Sequence, residues 1–289
     1  MKVLVAGGTG FAGSAVCRRL AAAGCGVWSV SRSGAEVGPG VTSIMGDVLQ
    51  AGGLAGIAAV PPVDWMVCAL SGTGQADAGN YRRMYEEGPV RVAEAVRWAG
   101  ARRVLFLGST GVYGGGNGDW VTEATAVHPL HRAGGVQVAA EAAVRAAADQ
   151  SIILRLSGLY GPGRTRMIRQ ALRMRPYLKP EVWANQIHRD DVAGVVAQLL
   201  ALPEAEQPDL LLGSDDCPAR RREIFDWIRT ETGYPEGCYD EDHPQRATRE
   251  RGNKRVSNAR LRALGLSLQH PDYRSGLVSL LSRRASSSS

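Results

Sequence analysis

The stretch Val3-Leu4-Val5-Ala6-Gly7-Gly8-Thr9-Gly10-Phe11-Ala12-Gly13 decides the fold of this chain. Four apolar residues run straight into a glycine-rich turn, and a helical pattern follows over residues 11–23. Gly8, Gly10 and Gly13 satisfy GxGxxG, while Gly7, Gly10 and Gly13 satisfy GxxGxxG. A glycine motif by itself says little; a strand before it and a helix after it, inside the first βαβ unit, make it specific. Glycines permit the tight turn and let backbone N–H groups approach a pyrophosphate at the helix N-terminus, where the dipole favours negative charge. Gly7, Gly8, Thr9, Gly10, Phe11, Ala12 and Gly13 are therefore the expected phosphate-binding residues. The competing reading is a glycine-rich turn that only connects two elements.

Outward from this stretch, the first half alternates short apolar runs with longer helical patterns. The strand candidates cover residues 2–6, 26–30, 41–44, 64–69, 102–108 and 151–156. They are continuously apolar rather than alternating, as parallel strands covered on both faces require. Helical patterns lie over 11–23, 81–98 and 136–148, and Gly24 and Gly100 are suited to end the helices before them in the left-handed conformation. This order predicts an α/β fold, a doubly wound parallel sheet with right-handed crossovers. Beyond residue 157 the pattern loosens. Residues 164–175, 190–201, 219–230 and 257–264 read as helices and 210–212 as one more strand. The expected division is a nucleotide-binding domain over 1–157, with 187–202 packing back onto it. Residues 158–186 and 203–285 are expected to form a smaller, irregular C-terminal α/β lobe, and 286–289 a disordered polar tail.

The chain has 289 residues, 44% hydrophobic and 21% charged, ordinary values for a protein with a buried core. No run of about 18 apolar residues is present, so no membrane span is expected. The five cysteines, Cys17, Cys25, Cys68, Cys217 and Cys238, are scattered without CxxC or Cys/His grouping. They predict neither a disulfide framework nor a metal site, and with no signal-peptide core in the first residues a reducing cytoplasm is expected. Net charge is +6, and the excess lies in the second half, with 22 basic against 17 acidic residues after position 150. Without a binding motif or interleaved aromatics, this suggests an anionic small molecule or a solvated surface rather than nucleic acid.

The end of the second strand candidate selects the cofactor. A carboxylate there would take the ribose 2′-OH of NAD, but this chain has Ser29-Val30-Ser31-Arg32-Ser33, with no acid before Glu36. Arg32 can offer a fixed guanidinium to a 2′-phosphate, which favours NADP, with NAD second. Asp47, just after the third strand candidate, is placed to accept from the adenine amino group.

Taken together, GGTGFAG (7–13), GDV (46–48), GSTGVYG (108–114), LRLSGLYGPG (154–163), IHRDDVAGVV (187–196) and SNARLRALGL (257–266) are similar to the extended short-chain dehydrogenase/reductase family, the NAD(P)-dependent epimerase/dehydratases. The resemblance covers nearly the whole chain and implies a Rossmann domain with a small substrate lobe. In that family a Tyr and a Lys four residues later exchange a proton with the substrate as hydride moves to or from the nicotinamide, and a Ser orients the substrate oxygen. Ser109 matches the serine. Aligned on Pro129 and Glu141, the Tyr position carries Ala133 and the Lys position Gln137, and no YxxxK occurs anywhere. The chain thus resembles an atypical branch. Gln137 can hold only a ribose hydroxyl; Ala69, Leu70, Leu156 and Ser157, at the ends of the fourth and sixth strand candidates, complete the expected cofactor contacts.

General acid/base catalysis contributes about 10²–10⁴-fold, so its carrier matters. Tyr85, at the position the family gives to an Asn, and His131, two residues before Ala133, are the expected substitutes beside Ser109; an imidazole titrates near neutrality. Tyr160 is a third candidate, and packing is the competing reading for each. Tyr113 belongs to a structural turn, and His188 and Asp191 read as structural too. Arg166, Arg169 and Arg173 would share one helix face and could clamp a phosphate, a nucleotide-sugar pyrophosphate or a carboxylate; a solvated face is the alternative. The expected function is an NADP-binding oxidoreductase or epimerase acting on a small polar substrate, anionic or nucleotide-linked, as a monomer or homodimer. Its rivals are a catalytically silent NADP(H) sensor or scaffold, and a lyase or isomerase that keeps the nucleotide structurally.

Overall fold

A computed structural model describes residues 1–48, 50, 52–54, 60–70, 87–114, 117–173, 181–235 and 252–286. The chain order is β1 (Lys2–Ala6), α1 (Phe11–Ala22), β2 (Gly26–Ser31), β3 (Val41–Met45), β4 (Trp65–Cys68), α2 (Gly88–Ala99), β5 (Arg103–Ser109), β6 (Asn117–Val121), α3 (Arg132–Ala147), β7 (Gln150–Leu156) and β8 (Gly158–Tyr160). It continues with α4 (Arg166–Ala171), β9 (Trp183–Ala184), β10 (Gln186–His188), α5 (Arg189–Ala201), β11 (Leu210–Gly213), β12 (Ala219–Arg220), α6 (Arg221–Thr232), β13 (Asn253–Val256), α7 (Ala259–Ala263) and α8 (Tyr273–Ser286).

The strands are apolar throughout because both faces of their sheet are covered. In β1, Val3 and Val5 enter one core while Leu4 and Ala6 enter the other, none more than 1% exposed. Seven parallel strands make one sheet in the order β11-β7-β5-β4-β1-β2-β3. α1 and α5 pack together on one face through Val16, Leu20, Val192 and Val196. α2 and α3 cover the other through Val92, Val96, Ala140 and Val144. Each fully buried Val or Leu contributes about 1.5–3 kcal/mol. Gly24 and Gly100 end their helices at φ 79° and 59°, as expected from the sequence. The doubly wound reading holds. Because β1–β3 run one way from the centre and β4, β5, β7 and β11 the other, the switch point falls between β1 and β4.

Outside this frame the sequence reading needs revision. α3 starts at Arg132 rather than 136, and the helix expected over 164–175 shortens to α4. Of the helix expected over 81–98, residues 81–86 lie outside the described residues and the described part starts at Gly88. Three small pairs, β8–β10 and β6–β13 (both parallel) and β9–β12 (antiparallel), had no counterpart in the expected elements, and neither had α8. These strands have two to five residues and several polar positions, too short for a period to register. A third core, around Tyr160, Ile168, Phe225, Ile228, Tyr273 and Leu277, joins β8, α4, α6 and α8. Among the described residues, no helix is long and apolar enough to cross a membrane.

Candidate functional site

The glycine loop leaves β1 at the switch point and is closed by its own backbone. Gly7 N–H donates to Val30 O at 2.8 Å, Gly10 N–H to Gly7 O at 2.9 Å, and Ser14 N–H to Gly10 O at 2.9 Å. Gly7 has φ 82°, and a Cβ on it would stand 2.7 Å from Ala69 O, just past β4. A Cβ on Gly13 would overlap Gly7 O, and one on Gly8 would overlap the Ser29 hydroxyl. Gly7 and Gly13 are thus demanded by backbone packed on backbone, and Gly8 by the Ser29 side chain against it. Gly10 is the N-cap of α1, with no side-chain cap and no acid in the first turn, so the uncapped N–H donors and the positive dipole end suit an anion.

The other expected cofactor residues lie along the same carboxyl edge. Ser31 O accepts from Gly34 N–H at 3.2 Å and from Gly46 N–H at 2.8 Å, which places Arg32 and Asp47 at the ends of the neighbouring strands β2 and β3. Arg32 is exposed and Asp47 half-buried. Ala69 and Leu70 leave β4, and Leu156 ends β7. Ser157 donates its N–H to Gly213 O at 2.9 Å. The Ser157 hydroxyl and the Gln137 side-chain oxygen are buried with no partner among the described residues. A cradle with no room for a Cβ, together with these buried polar atoms, fits a dinucleotide, a ligand of phosphates and ribose hydroxyls.

Ser109 ends β5 and opens a 3-10 turn over Thr110–Val112, its Oγ accepting from Gly111 N–H at 3.0 Å. A Cβ on Gly134 would stand 2.9 Å from Gly111 O, so the first turn of α3 lies directly on the turn that follows Ser109. This contact brings the stretch carrying Ala133 and Gln137 up to the serine. Ala133 is exposed and presents a methyl where the family resemblance expects a phenol; Gln137, one turn on, is half-buried. His131 is the N-cap of α3, exposed and without a side-chain capping bond. Tyr85 lies outside the described residues.

Arg155 of β7 anchors this corner. It donates to Glu141 of α3 through Nε at 3.1 Å and Nη2 at 2.7 Å, and through Nη1 to the Tyr113 hydroxyl at 2.7 Å. Lys254 of β13 donates to Tyr113 O at 3.1 Å. A buried pair of this kind holds geometry more than it adds net stability. Tyr113 is therefore committed to the turn, and burial raises its phenol pKa. Tyr160 is packed as well. Its ring meets His188 edge-on at 5.1 Å, a Cβ on Gly276 would overlap its hydroxyl, and burial raises its pKa.

His188 caps α5, its Nδ1 accepting from Asp190 N–H at 3.2 Å. The Asp191 carboxylate accepts N–H bonds from Gln269 and His270 at 2.5 and 3.1 Å, and burial raises its pKa. His188, Asp191 and His270 hold possible metal-ligand atoms within 4.8 Å of one another, but the bonds at Asp191 make it a tie from α5 to the segment before α8. Cys17 and Cys68 are buried, and burial pushes both thiols up to about 12. Among the arginines, exposed Arg166 and Arg169 share a face of α4, while Arg173 lies past its end and accepts through its carbonyl from Arg229 at 2.9 Å. The sequence reading passed over Asp215, two residues beyond β11. It is 1% exposed with Oδ2 unpartnered among the described residues, and no local motif marks it.

Residues 3–211 match the NAD dependent epimerase/dehydratase family, and no curated protein matches the chain. Among solved structures, a protein from Methylobacillus flagellatus described as an NAD-dependent epimerase/dehydratase is 32% identical over 98% of each chain, with a TM-score of 0.76. The human epimerase family protein SDR39U1, solved with NADPH, is 21% identical over 96% of this chain and 98% of its own, with a TM-score of 0.73. MoeE5, solved with UDP-glucose and NAD, is 22% identical over 100% of both chains, with a TM-score of 0.77. The latter two share the fold. A family match over more than half the chain, on a parallel sheet whose switch point carries the glycine cradle, makes this chain a member of the NAD-dependent epimerase/dehydratase family.

Proposed function

We propose that this chain binds NADP(H) in preference to NAD(H) and acts as an atypical oxidoreductase or epimerase on a small polar substrate, anionic or nucleotide-linked. The observation that carries the reading is the close-packed glycine cradle with Arg32, and no carboxylate, at the end of β2. In this reading Arg32 holds the 2′-phosphate, Asp47 the adenine amino group and Gln137 a ribose hydroxyl. The nicotinamide, when bound, supplies hydride transfer. Ser109 orients the substrate oxygen, and His131 exchanges a proton with it from the start of α3, with Tyr85 the other candidate for that task. Arg166, Arg169 and Arg173 receive the anionic part of the substrate, in a lobe built on the third core. The protein works in the cytoplasm as a monomer or homodimer.

Tryptophan fluorescence titration with NADPH and with NADH tests the cofactor half. Charge-assisted contacts to one phosphate predict about a 10–100-fold preference for NADPH, lost in Arg32→Ala. Equal affinities, or a preference that survives the substitution, would refute the assignment. A second reading, a silent NADP(H) sensor or scaffold, is favoured by the exposed methyl of Ala133 and the neutral amide of Gln137. NADPH oxidation against a broad carbonyl panel separates the two: turnover supports the enzyme, whereas silence together with nucleotide-dependent partner binding supports the sensor.

A further inference from the structure

Phe11, the first residue of α1, carries two cations on its ring. The guanidinium carbon of Arg164 lies 5.4 Å from the ring centroid and that of Arg189 lies 5.2 Å from it. They arrive from different directions in sequence, Arg164 from the loop after β8 and Arg189 as the first residue of α5. The loop is rigid. Arg164 N–H donates to Gly161 O at 2.9 Å across Pro162 and Gly163, and Gly163 has φ 83°, the pattern of a type II turn with proline then glycine at its centre. The turn is also seated on the ring, since a Cβ on Gly161 would stand 3.5 Å from Phe11 Cζ and 3.2 Å from Arg189 Cβ. Arg189 is steadied by Asp190 Oδ1 at 3.2 Å and by Pro162 O at 3.5 Å. Arg164 is exposed, and beyond the Phe11 ring its guanidinium has no hydrogen-bonded or charged partner among the described residues.

Two guanidinium groups held to one ring repel each other unless an anion lies within reach of both. One acid, Asp190, offsets only one of the two charges. Phe11 also belongs to the uncapped first turn of α1 in the glycine cradle, so the cations stand at the mouth of a site already suited to negative charge. We propose that Arg164 and Arg189 form a cationic wall of the glycine-loop site and contact the pyrophosphate of the bound dinucleotide, an inference that rests on the dinucleotide reading above. The turn sets the backbone of Arg164 and the Phe11 ring lies under its guanidinium, so part of the ordering cost is met before the ligand arrives. Neither arginine was singled out from the sequence for this role, because their meeting on Phe11 depends on loops far apart along the chain.

Calorimetric titration of the full chain with NADPH, ADP-ribose, 2′-AMP and UDP tests this. ADP-ribose keeps the pyrophosphate without the nicotinamide, 2′-AMP lacks the pyrophosphate, and UDP stands for a substrate diphosphate. Arg164→Ala is expected to weaken NADPH and ADP-ribose about ten-fold, leave 2′-AMP unchanged, and flatten the salt dependence of NADPH binding. Arg164→Lys is expected to restore the salt dependence with only part of the affinity, because an ammonium lacks the planar fork. Wild-type affinity of Arg164→Ala for NADPH and ADP-ribose would overturn the proposal, as would an equal loss for 2′-AMP. Loss confined to UDP would move the arginine to a substrate phosphate and overturn it too. A wild-type chain that binds none of the adenine nucleotides would instead remove the dinucleotide reading itself. Unchanged melting temperatures of both variants are expected, since Arg164 is exposed.

Discussion

The carboxyl edge of the sheet has two halves that meet near β4 and are built on different principles. On the β1 side the proposed binding device is a backbone loop, with glycines packed so closely that a Cβ on Gly13 or Gly8 would overlap its neighbours. On the β5 side the device is a few side chains set on a well-packed corner: Ser109 on its turn, Ala133 and Gln137 on α3. Change in the first half strains the fold, whereas Ala133 is exposed, so a different side chain there meets no packed neighbour of the core. That contrast fits a chain that keeps its glycine cradle while the positions matched by resemblance to the family's tyrosine and lysine carry Ala133 and Gln137. The Glu141–Arg155–Tyr113 network lies beneath the second half and keeps its frame in place, so the chemistry can drift without the architecture.

The sharpest way to break this comparison is to put the side chains back. If the β5 corner still has the frame, Ala133→Tyr with Gln137→Lys gains a phenol and a cation one helical turn apart. NADPH oxidation across a carbonyl panel is expected to rise about 10²–10⁴-fold over the parent chain, the range general acid/base catalysis supplies. No gain, in a variant that melts like the parent and binds NADPH equally, would show that the frame too has changed. The reciprocal test is on the backbone side. Gly13→Ala must place its methyl on Gly7 O, so about a 100-fold loss of NADPH affinity is expected, with about 1–3 kcal/mol lost in urea unfolding from overpacking. Unaltered binding would mean that the cradle is only a turn.

How much of this was legible in the sequence follows the same line. Val3 to Gly13 announced strand, loop and helix because backbone sterics act locally. The apolar runs of β1, β2, β4, β5 and β7 announced a covered parallel sheet for the same reason. The GSTGVYG surroundings singled out Ser109 by resemblance, and the structure sets it at the end of β5. The β6–β13 pair was not legible, since Asn117–Val121 and Asn253–Val256 are polar and gain their strand character from each other across more than 130 residues. Tyr160 illustrates the limit: position in a loop near the sheet edge suggested chemistry, and only its contact with Gly276 of α8, a helix absent from the expected elements, shows it packed. Arg164 and Arg189 lie 25 positions apart and come together on Phe11.

The smallest effect concerns whether a third place on the edge belongs to the site or to the fold. Asp215 follows β11, buried, with Oδ1 accepting from Cys217 N–H at 3.3 Å and Oδ2 unpartnered among the described residues. Burial raises its pKa well above the usual carboxylate value. The native state therefore keeps a proton at pH values where the unfolded chain has released it, so this group makes the protein more stable as pH falls from above its raised pKa toward about 4. Asp191, raised by burial, acts with the same sign. At Asp216 burial works against ionisation, but hydrogen bonds from Arg262 and Asn258 hold the pKa below the usual value; its stabilisation is present above about 4 and lost only at lower pH. The intermediate window thus belongs to the raised groups. Asp215→Asn keeps the acceptor for Cys217 and removes the charge. It is expected to raise stability by about 1–3 kcal/mol above the raised pKa, because a buried charge is replaced by a neutral amide, with the gain shrinking as pH approaches 4. Urea unfolding across pH reads this directly. NADPH affinity is expected to stay within two-fold of wild type, since a carboxylate serving the fold has no contact with the ligand. A larger change in affinity, with or without the stability gain, would carry the binding half of the edge past β7 to β11 and make the contrast between the two halves less sharp than the glycine cradle implies.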